Sequence, residues 1–379
     1  MSYHFEKTAP ERGIKRDHIL IASVFLLVGL GMVTLYSSSY AFARRFFNDS
    51  LYFISRQLVM GGAGLVLFFI AARINLEWMR SLIKVLVIGT MILCVLTFIP
   101  GIGVVKNGAA RWIRLGPYTY QPSELVKLTL PVYLAHIFDK KEGDPDNFSR
   151  NILHPVLITA VFFLLIYLQN NFSTAVFIAF NALVIFFLAG VKLRFFFGAV
   201  MILLPLSSLL VLTREHRLRR LISFIWPEWE PQGAGYQVRS SILSIISGGF
   251  WGKGIGQGTR KIASVPEIHS DFIFSSFSEE SGFIGVLLFV FLFGVFTLRG
   301  YRAGLGAAKT FPRLLGLGLV TVISSQALLN IAVVSGVLPA TGIPLPFFSA
   351  GGSSLATTLL SAGLVVNISG AGGMAKGGE

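Results

Sequence analysis

The chain has 379 residues, 54% of them hydrophobic and only 13% charged, with a mean hydropathy of +0.71. A water-soluble domain carries about 25% charged residues, so this composition excludes a soluble globule and points to a polytopic membrane protein. The net charge of +14 then reports on orientation and anionic headgroups rather than on nucleic acid, for which no recognition module is present.

Residues 1–17 are charged and lack a small-residue cleavage site, so the first apolar run reads as a retained span. About 20 apolar residues cross a bilayer as a helix. Ten such runs follow in order: 18–38, 55–73, 81–99, 122–138, 155–169, 174–190, 194–213, 277–299, 312–338 and 347–368. Strand-type alternation is absent, which argues against a barrel. The expected fold is an all-α polytopic bundle of about ten helices between residues 18 and 370, with a short tail at 371–379.

Three runs carry features of note. The second holds Gly61-Gly62-Ala63-Gly64, a small-residue surface for packing within the bundle or against a partner helix. The third holds Cys94, the single cysteine, so no intramolecular disulfide exists. The fourth, entered through Gln121-Pro122-Ser123, places Glu124 and Lys127 on one helix face. Ions at membrane depth face the interior and pair, so these two are a structural pair or the polar lining of a groove. His136, His154 and His269 have no partner at metal-ligand spacing, and no Cys pair exists.

With a cytoplasmic N-terminus, the short inner segments hold Lys7, Arg12, Lys15, Arg16, Arg73, Arg80, Lys84, Lys140, Lys141, Arg150, Lys192, Arg194, Arg299, Arg302, Lys309, Arg313 and Lys376. The short outer segments hold only Arg44, Arg45, Arg56, Lys106, Arg111 and Arg114. The positive-inside rule therefore puts both termini in the cytoplasm and the long loop at 214–276 outside.

That loop is basic. Arg214, Arg217, Arg219 and Arg220 form a solvated amphipathic helix in contact with headgroups or, since so much positive charge on the outer face runs against the usual bias, the site of an anionic ligand. Lys253, Arg260 and Lys261 flank the glycine cluster Gly248-Gly249-Phe250-Trp251-Gly252-Lys253-Gly254-Ile255-Gly256-Gln257-Gly258. The cluster fits neither a Walker A nor a Rossmann fingerprint. It is a turn, or backbone N–H groups approaching a pyrophosphate. Glu267 and Asp271, four apart, close the loop; two carboxylates this near raise one pKa or jointly hold a divalent cation. Glu279 and Glu280 open the eighth run, where a helix N-terminus suits acids. Acids number only 18 in the chain, and one at a membrane edge is costly unless paired or used, which makes Asp271 the leading candidate for chemistry.

Five motifs carry a family resemblance. Pro266-Glu267-Ile268-His269-Ser270-Asp271-Phe272-Ile273-Phe274-Ser275 with Glu279-Glu280-Ser281-Gly282, Asn107-Gly108-Ala109-Ala110-Arg111-Trp112-Ile113, Gln121-Pro122-Ser123-Glu124-Leu125-Val126-Lys127, Pro231-Gln232-Gly233-Ala234-Gly235-Tyr236-Gln237, and Leu338-Pro339-Ala340-Thr341-Gly342 through Ser349-Ala350-Gly351-Gly352-Ser353-Ser354 together resemble the SEDS (shape, elongation, division and sporulation) proteins of the FtsW/RodA/SpoVE group. The resemblance implies a ten-span bundle that polymerises lipid II into glycan strands at the outer face of the bacterial cytoplasmic membrane. It also implies a class B penicillin-binding protein as transpeptidase partner. The family's essential acid falls on Asp271. Gly235-Tyr236-Gln237, Gly256-Gln257-Gly258 and Val366-Asn367-Ile368-Ser369 are more similar to the division branch than to the elongation branch, which implies a septal location among other division proteins. Two positions depart from the pattern: Asn171 stands where the family often has an acid, and Ala350 where it commonly has an aromatic.

Glycosyl transfer of this kind needs a base for the attacking hydroxyl and positive charge for the departing pyrophosphate. Asp271 is expected as the base, directly or through a magnesium or manganese ion shared with Glu267. His269, Lys253, Arg260 and Lys261 are expected beside the substrate, with Glu124, Lys127 and Arg111 lining or bracing the groove. No organic cofactor is expected. The rival reading is a flippase for the lipid-linked precursor, carried by Glu124 and Lys127, but the two halves show no repeat.

Overall fold

A computed structural model describes residues 16–106, 108–140, 152–226, 234–258 and 270–371. The chain opens with α1 (His18–Phe47), whose N-cap Asp17 accepts from the N–H groups of Ile19 and Leu20, both at 3.0 Å. Helices α2 (Tyr52–Ala71), α3 (Leu76–Ser81) and α4 (Ile83–Leu96) follow. A small sheet of β1 (Gly103–Lys106), β2 (Ala109–Leu115) and β3 (Tyr118–Tyr120) comes next, antiparallel in the order β1-β2-β3. The sheet is a small addition to the all-α bundle: β1 and β3 are too short to show an alternation in the sequence, and pairing with β2 makes them strands.

The remaining helices are α5 (Pro122–Lys140), α6 (Leu153–Leu168), α7 (Phe172–Leu188), α8 (Leu193–Leu212), α9 (Glu215–Ile225), α10 (Ala234–Gly248), α11 (Ile273–Leu305), α12 (Thr310–Val334) and α13 (Gly352–Ala371). The ten apolar runs fall on α1, α2, α4 to α8 and α11 to α13. Of these, α1, α2, α11, α12 and α13 are long and apolar enough on length and composition to cross a membrane, while α4, α6 and α7 are shorter apolar helices.

Helix α12 is the axis of the bundle. It packs on α11, α5, α13 and α7, and its buried residues run all round the cylinder, from Leu314 and Leu315 to Gln326 and Asn330. A helix apolar on every side must be buried. The outer helices show the reverse, with large apolar side chains such as Leu26, Val66, Met201 and Phe291 exposed, as a lipid-facing surface requires. Gly61 and Gly64 of α2 face inward: a Cβ at Gly64 would sit 2.8 Å from Leu359 Cδ1, and one at Gly61 2.9 Å from Met32 Cε. They serve packing against α13 and α1 inside the bundle.

The histidines have ordinary partners. His136 Nδ1 accepts from Arg80 Nε at 2.9 Å, and His154 Nδ1 meets the Tyr133 hydroxyl at 2.7 Å. No cluster of three His, Cys, Asp or Glu side chains suited to a metal occurs among the described residues.

Candidate active site

Helix α11 is two helices. At Gly282 the backbone turns to φ 64°, ψ −165°, and helical hydrogen bonding stops. A break at membrane depth leaves carbonyls and N–H groups that must find partners inside the protein. The glycine cluster supplies them. Lys253 N and Gly254 N donate to the carbonyls of Glu279 and Glu280 at 3.1 and 3.0 Å, while Phe283 N and Ile284 N donate to Gly249 O and Phe250 O at 3.0 and 3.3 Å. Backbones meet this closely only without side chains: a Cβ at Gly252 would lie 2.2 Å from Glu280 O, and one at Gly282 2.2 Å from Gly252 N. The cluster is therefore a plug for the broken helix, and the N–H groups of Lys253 and Gly254 are spent there rather than on a pyrophosphate.

The two glutamates belong to the same junction. They lie inside the helix before its break, 0% and 6% exposed, instead of at a helix start. Lys253 Nζ meets Glu279 Oε1 at 2.6 Å, and Ser37 Oγ donates to Glu280 at 2.6 Å. Lys253 is thus seated on a buried carboxylate.

Directly before this helix, the Asp271 segment meets α12. Asn330 Nδ2 donates to Asp271 O and to Ile343 O, each at 2.8 Å. One turn earlier on the same face, Gln326 Nε2 donates to Pro344 O at 2.8 Å, and its Oε1 accepts from Lys127 Nζ at 2.9 Å. Lys127 pairs with Glu124 at 2.7 Å, both side chains being buried. Glu124 and Lys127 are therefore bound into the frame that holds the 338–347 loop.

The cations that face open space are arginines. A cavity of about 460 Å³ is lined by Arg111 from β2, Arg217 and Arg220 from α9, Asn171 at the start of α7, Thr341, and the α7 apolar wall of Val176, Phe177 and Phe180. A second cavity, also about 460 Å³, lies on the other side of Arg220 and Ala340 and includes Arg239, Trp226 and Ile242. Arg217 lies over the rings of Tyr167 and Phe172, 4.7 Å from each centroid. Arg111 donates through Nη2 to Asn170 O. Its Nε, together with Asn171 Nδ2 and Thr341 Oγ1, is buried and has no hydrogen-bond partner among the described residues. Unmade bonds on three converging groups are costly and mark a place for a polar ligand.

Asp271 lies against the 338–347 loop, which supplies Thr341 to this cavity. A Cβ at Gly342, next to Thr341, would lie 3.3 Å from Asp271 Oδ2. Burial lowers the pKa of both Arg111 and Arg220 from the usual arginine value; the charge of Arg220 lowers Arg111 further, and the Asp271 carboxylate raises both. One carboxylate between two mutually repelling guanidiniums leaves an excess of positive charge, which an anion would relieve.

Of the residues singled out in the sequence, Asp271 and Arg111 come together; Glu124 and Lys127 brace the loop beside them; Lys253 pairs with Glu279. Glu267, His269, Arg260 and Lys261 lie outside the described residues. Of the two readings of Arg217 and Arg220, a solvated face or the site of an anionic ligand, their place in a cavity wall favours the second. Their spacing of three was the available signal, since it puts both on one side of α9.

A family model described as cell cycle protein, for the FtsW/RodA/SpoVE group, matches residues 17–372. The chain belongs to this SEDS family. A probable peptidoglycan glycosyltransferase FtsW from Trichlorobacter lovleyi is 37% identical over 361 residues, covering 95% of this chain and 94% of the relative. Stage V sporulation protein E of Bacillus subtilis is 35% identical over 364 residues, covering 96% and 98%. Among solved structures, a chain from work on the structural coordination of polymerization and crosslinking by a peptidoglycan synthase complex superposes with a TM-score of 0.77 at 28% identity, covering 93% of this SEDS chain and 97% of that one. The rod shape determining protein RodA of Thermus thermophilus gives 0.68 at 28% identity, covering 93% and 96%.

Proposed function

We propose that this SEDS protein is a peptidoglycan glycosyltransferase of the division type, polymerising lipid II at the outer face of the cytoplasmic membrane. The observation that supports the reading is a cavity lined by Arg111, Arg217, Arg220 and phenylalanines, with the Asp271 carboxylate against the loop that supplies Thr341 to it and its charge acting on both Arg111 and Arg220. A lipid-linked sugar pyrophosphate needs such a site: an acceptor for a proton, cations for a diphosphate, and apolar surface for a polyprenyl chain.

In the reaction an acceptor sugar hydroxyl attacks the anomeric carbon of the donor. The new C–O bond forms as the bond to pyrophosphate breaks on the opposite side, so configuration inverts. Asp271 takes the hydroxyl proton. Arg111, Arg217 and Arg220 hold the pyrophosphate as its charge grows, in place of Lys253, which is engaged with Glu279. The cavities on the two sides of Arg220 give room for donor and acceptor. A divalent cation held by Asp271 and Glu267 is the alternative way for the carboxylate to act. A class B penicillin-binding protein is the proposed partner, acting on the strand that emerges, and the septum the proposed site of action.

The test is glycan synthesis from lipid II by purified protein with its cognate transpeptidase. Asp271→Asn should lower turnover by about 10²–10⁴-fold, the usual cost of losing a general base, while partner copurification is unchanged. Full activity in that variant would remove the assignment. Insensitivity of the wild type to EDTA supports direct proton transfer; loss restored by magnesium or manganese supports the cation.

A further inference from the structure

We propose that Asn330 is a positioning residue for Asp271, fixing the backbone from which the carboxylate projects. The inference rests on the reading of Asp271 as the group that takes the acceptor proton.

Asn330 is 1% exposed, in the central helix α12. Its amide has two hydrogens, and both are used, each on the carbonyl of a different segment: Asp271 O and Ile343 O, at 2.8 Å. The first segment leads into α11 and the second lies between α12 and α13, so nothing in the local chain holds them together. From the opposite side Gly342, at φ 74°, faces Asp271 Oδ2, and a Cβ there would lie 3.3 Å away. The Asp271 backbone is thus tied to α12 while its carboxylate lies against the loop that the same amide fixes. Gln326, one turn away, anchors that loop again through Pro344 O at 2.8 Å.

An aspartate carboxylate stands only two bonds from its Cα, so it moves with its backbone. Proton transfer requires hydrogen-bond reach, and a misplacement of about 1 Å costs on the order of 10²-fold in rate. Asn330 itself does not line the cavity, so its loss should fall on turnover more than on affinity.

The molecule contains its own control. Asn367 on α13 likewise donates both amide hydrogens to two carbonyls, Ala71 O and Ile74 O, at 2.8 and 2.7 Å. These carbonyls end α2, away from Asp271. Asn330→Ala and Asn367→Ala therefore remove the same pair of hydrogen bonds from two places.

The experiment measures lipid II polymerisation by the full chain with its cognate transpeptidase in nanodiscs, together with the melting temperature of each variant. Asn330→Ala should lose turnover by about 10²-fold with KM for lipid II changed less than about threefold. Asn367→Ala should melt lower by a similar amount yet keep its turnover. Combined with Asp271→Glu, which displaces the carboxylate by one methylene, Asn330→Ala should be strongly non-additive and Asn367→Ala additive. If Asn330→Ala does not survive purification, Asn330→Leu, which keeps the side-chain volume without the donors, takes its place with the same expectation. Equal turnover losses for the two asparagines, a change in KM alone, or additivity with Asp271→Glu would each overturn the proposal. Full activity in Asp271→Asn would instead defeat the assignment of the base, so the two failures are told apart.

Discussion

Arg217 and Arg220 show how a single side chain's meaning depends on what it faces. Both are on a short helix rich in charge, and Arg219 between them pairs outward with Glu215 at 2.5 Å. Arg220 instead reaches inward to Ala340 O at 3.4 Å and, like Arg111, feels the charge of the Asp271 carboxylate. Asn171 increases the contrast. It lines the same cavity and stands where the resemblance places an acid, so it contributes a neutral amide to an arginine-lined wall. Arg220→Ala is expected to weaken lipid II binding, with KM rising roughly tenfold or more, because hydrogen bonds to a charged group contribute about 1.5–3 kcal/mol. Steady-state polymerisation over a range of lipid II concentrations checks this, and an unchanged KM would take Arg220 out of the site.

At the scale of elements, the instructive structure is the broken helix α11 with the glycine plug. Glycines and a lysine beside a membrane suggest a phosphate loop because that composition permits close backbone approach. Here the close approach is made to another backbone. The lysine covers a fully buried glutamate, and Ser37 of α1 covers the next one. Lys253→Met should therefore act on stability. Removing one partner of a buried pair costs about 3–5 kcal/mol, and the partial exposure of Lys253 puts its effect at the lower end. Thermal inactivation in detergent should shift down while KM for lipid II stays within experimental scatter. A KM effect without a stability effect would restore Lys253 to the substrate.

Over the whole molecule, one ion pair closes the bundle across almost its full sequence length. Asp17 caps α1, receives Arg299 Nε at 2.7 Å, and its own N–H donates to Ser369 Oγ at 3.2 Å. Burial by itself would raise the Asp17 pKa; the Arg299 hydrogen bond, the N–H groups of Leu20 and Ile19 and the Arg299 charge outweigh it, and the pKa lies below the usual aspartate value. A depressed carboxylate contributes its full stability above the unfolded pKa, about 3.9, and loses it as pH falls through the lower folded value. Melting temperatures of wild type and Asp17→Asn should accordingly differ by a constant amount above about pH 4 and converge below it. A difference unchanged down to pH 3 would show that the charge of Asp17 contributes nothing.

The membrane class, the ten helices and the order of the motifs are legible in the residues because each depends on a local quantity. Twenty apolar residues span a bilayer wherever they occur, and a motif such as Gln121-Pro122-Ser123-Glu124 reads the same in isolation. The importance of Asp271 is legible too, since a rare acid at a membrane edge needs a reason to be there. The cations beside it are another matter. Arg111, Arg217 and Arg220 converge from a strand and a helix about a hundred residues apart, whereas Lys253, nearer to Asp271 in the chain, turns to a glutamate in a helix break. Likewise Asn330 is one more polar residue in an apolar run until the bundle closes and both of its hydrogens meet carbonyls from separate loops. Burial assigns these partners: inside the bundle a polar group left without one is costly, and which group lies within reach is a property of the packed helices rather than of the order of residues.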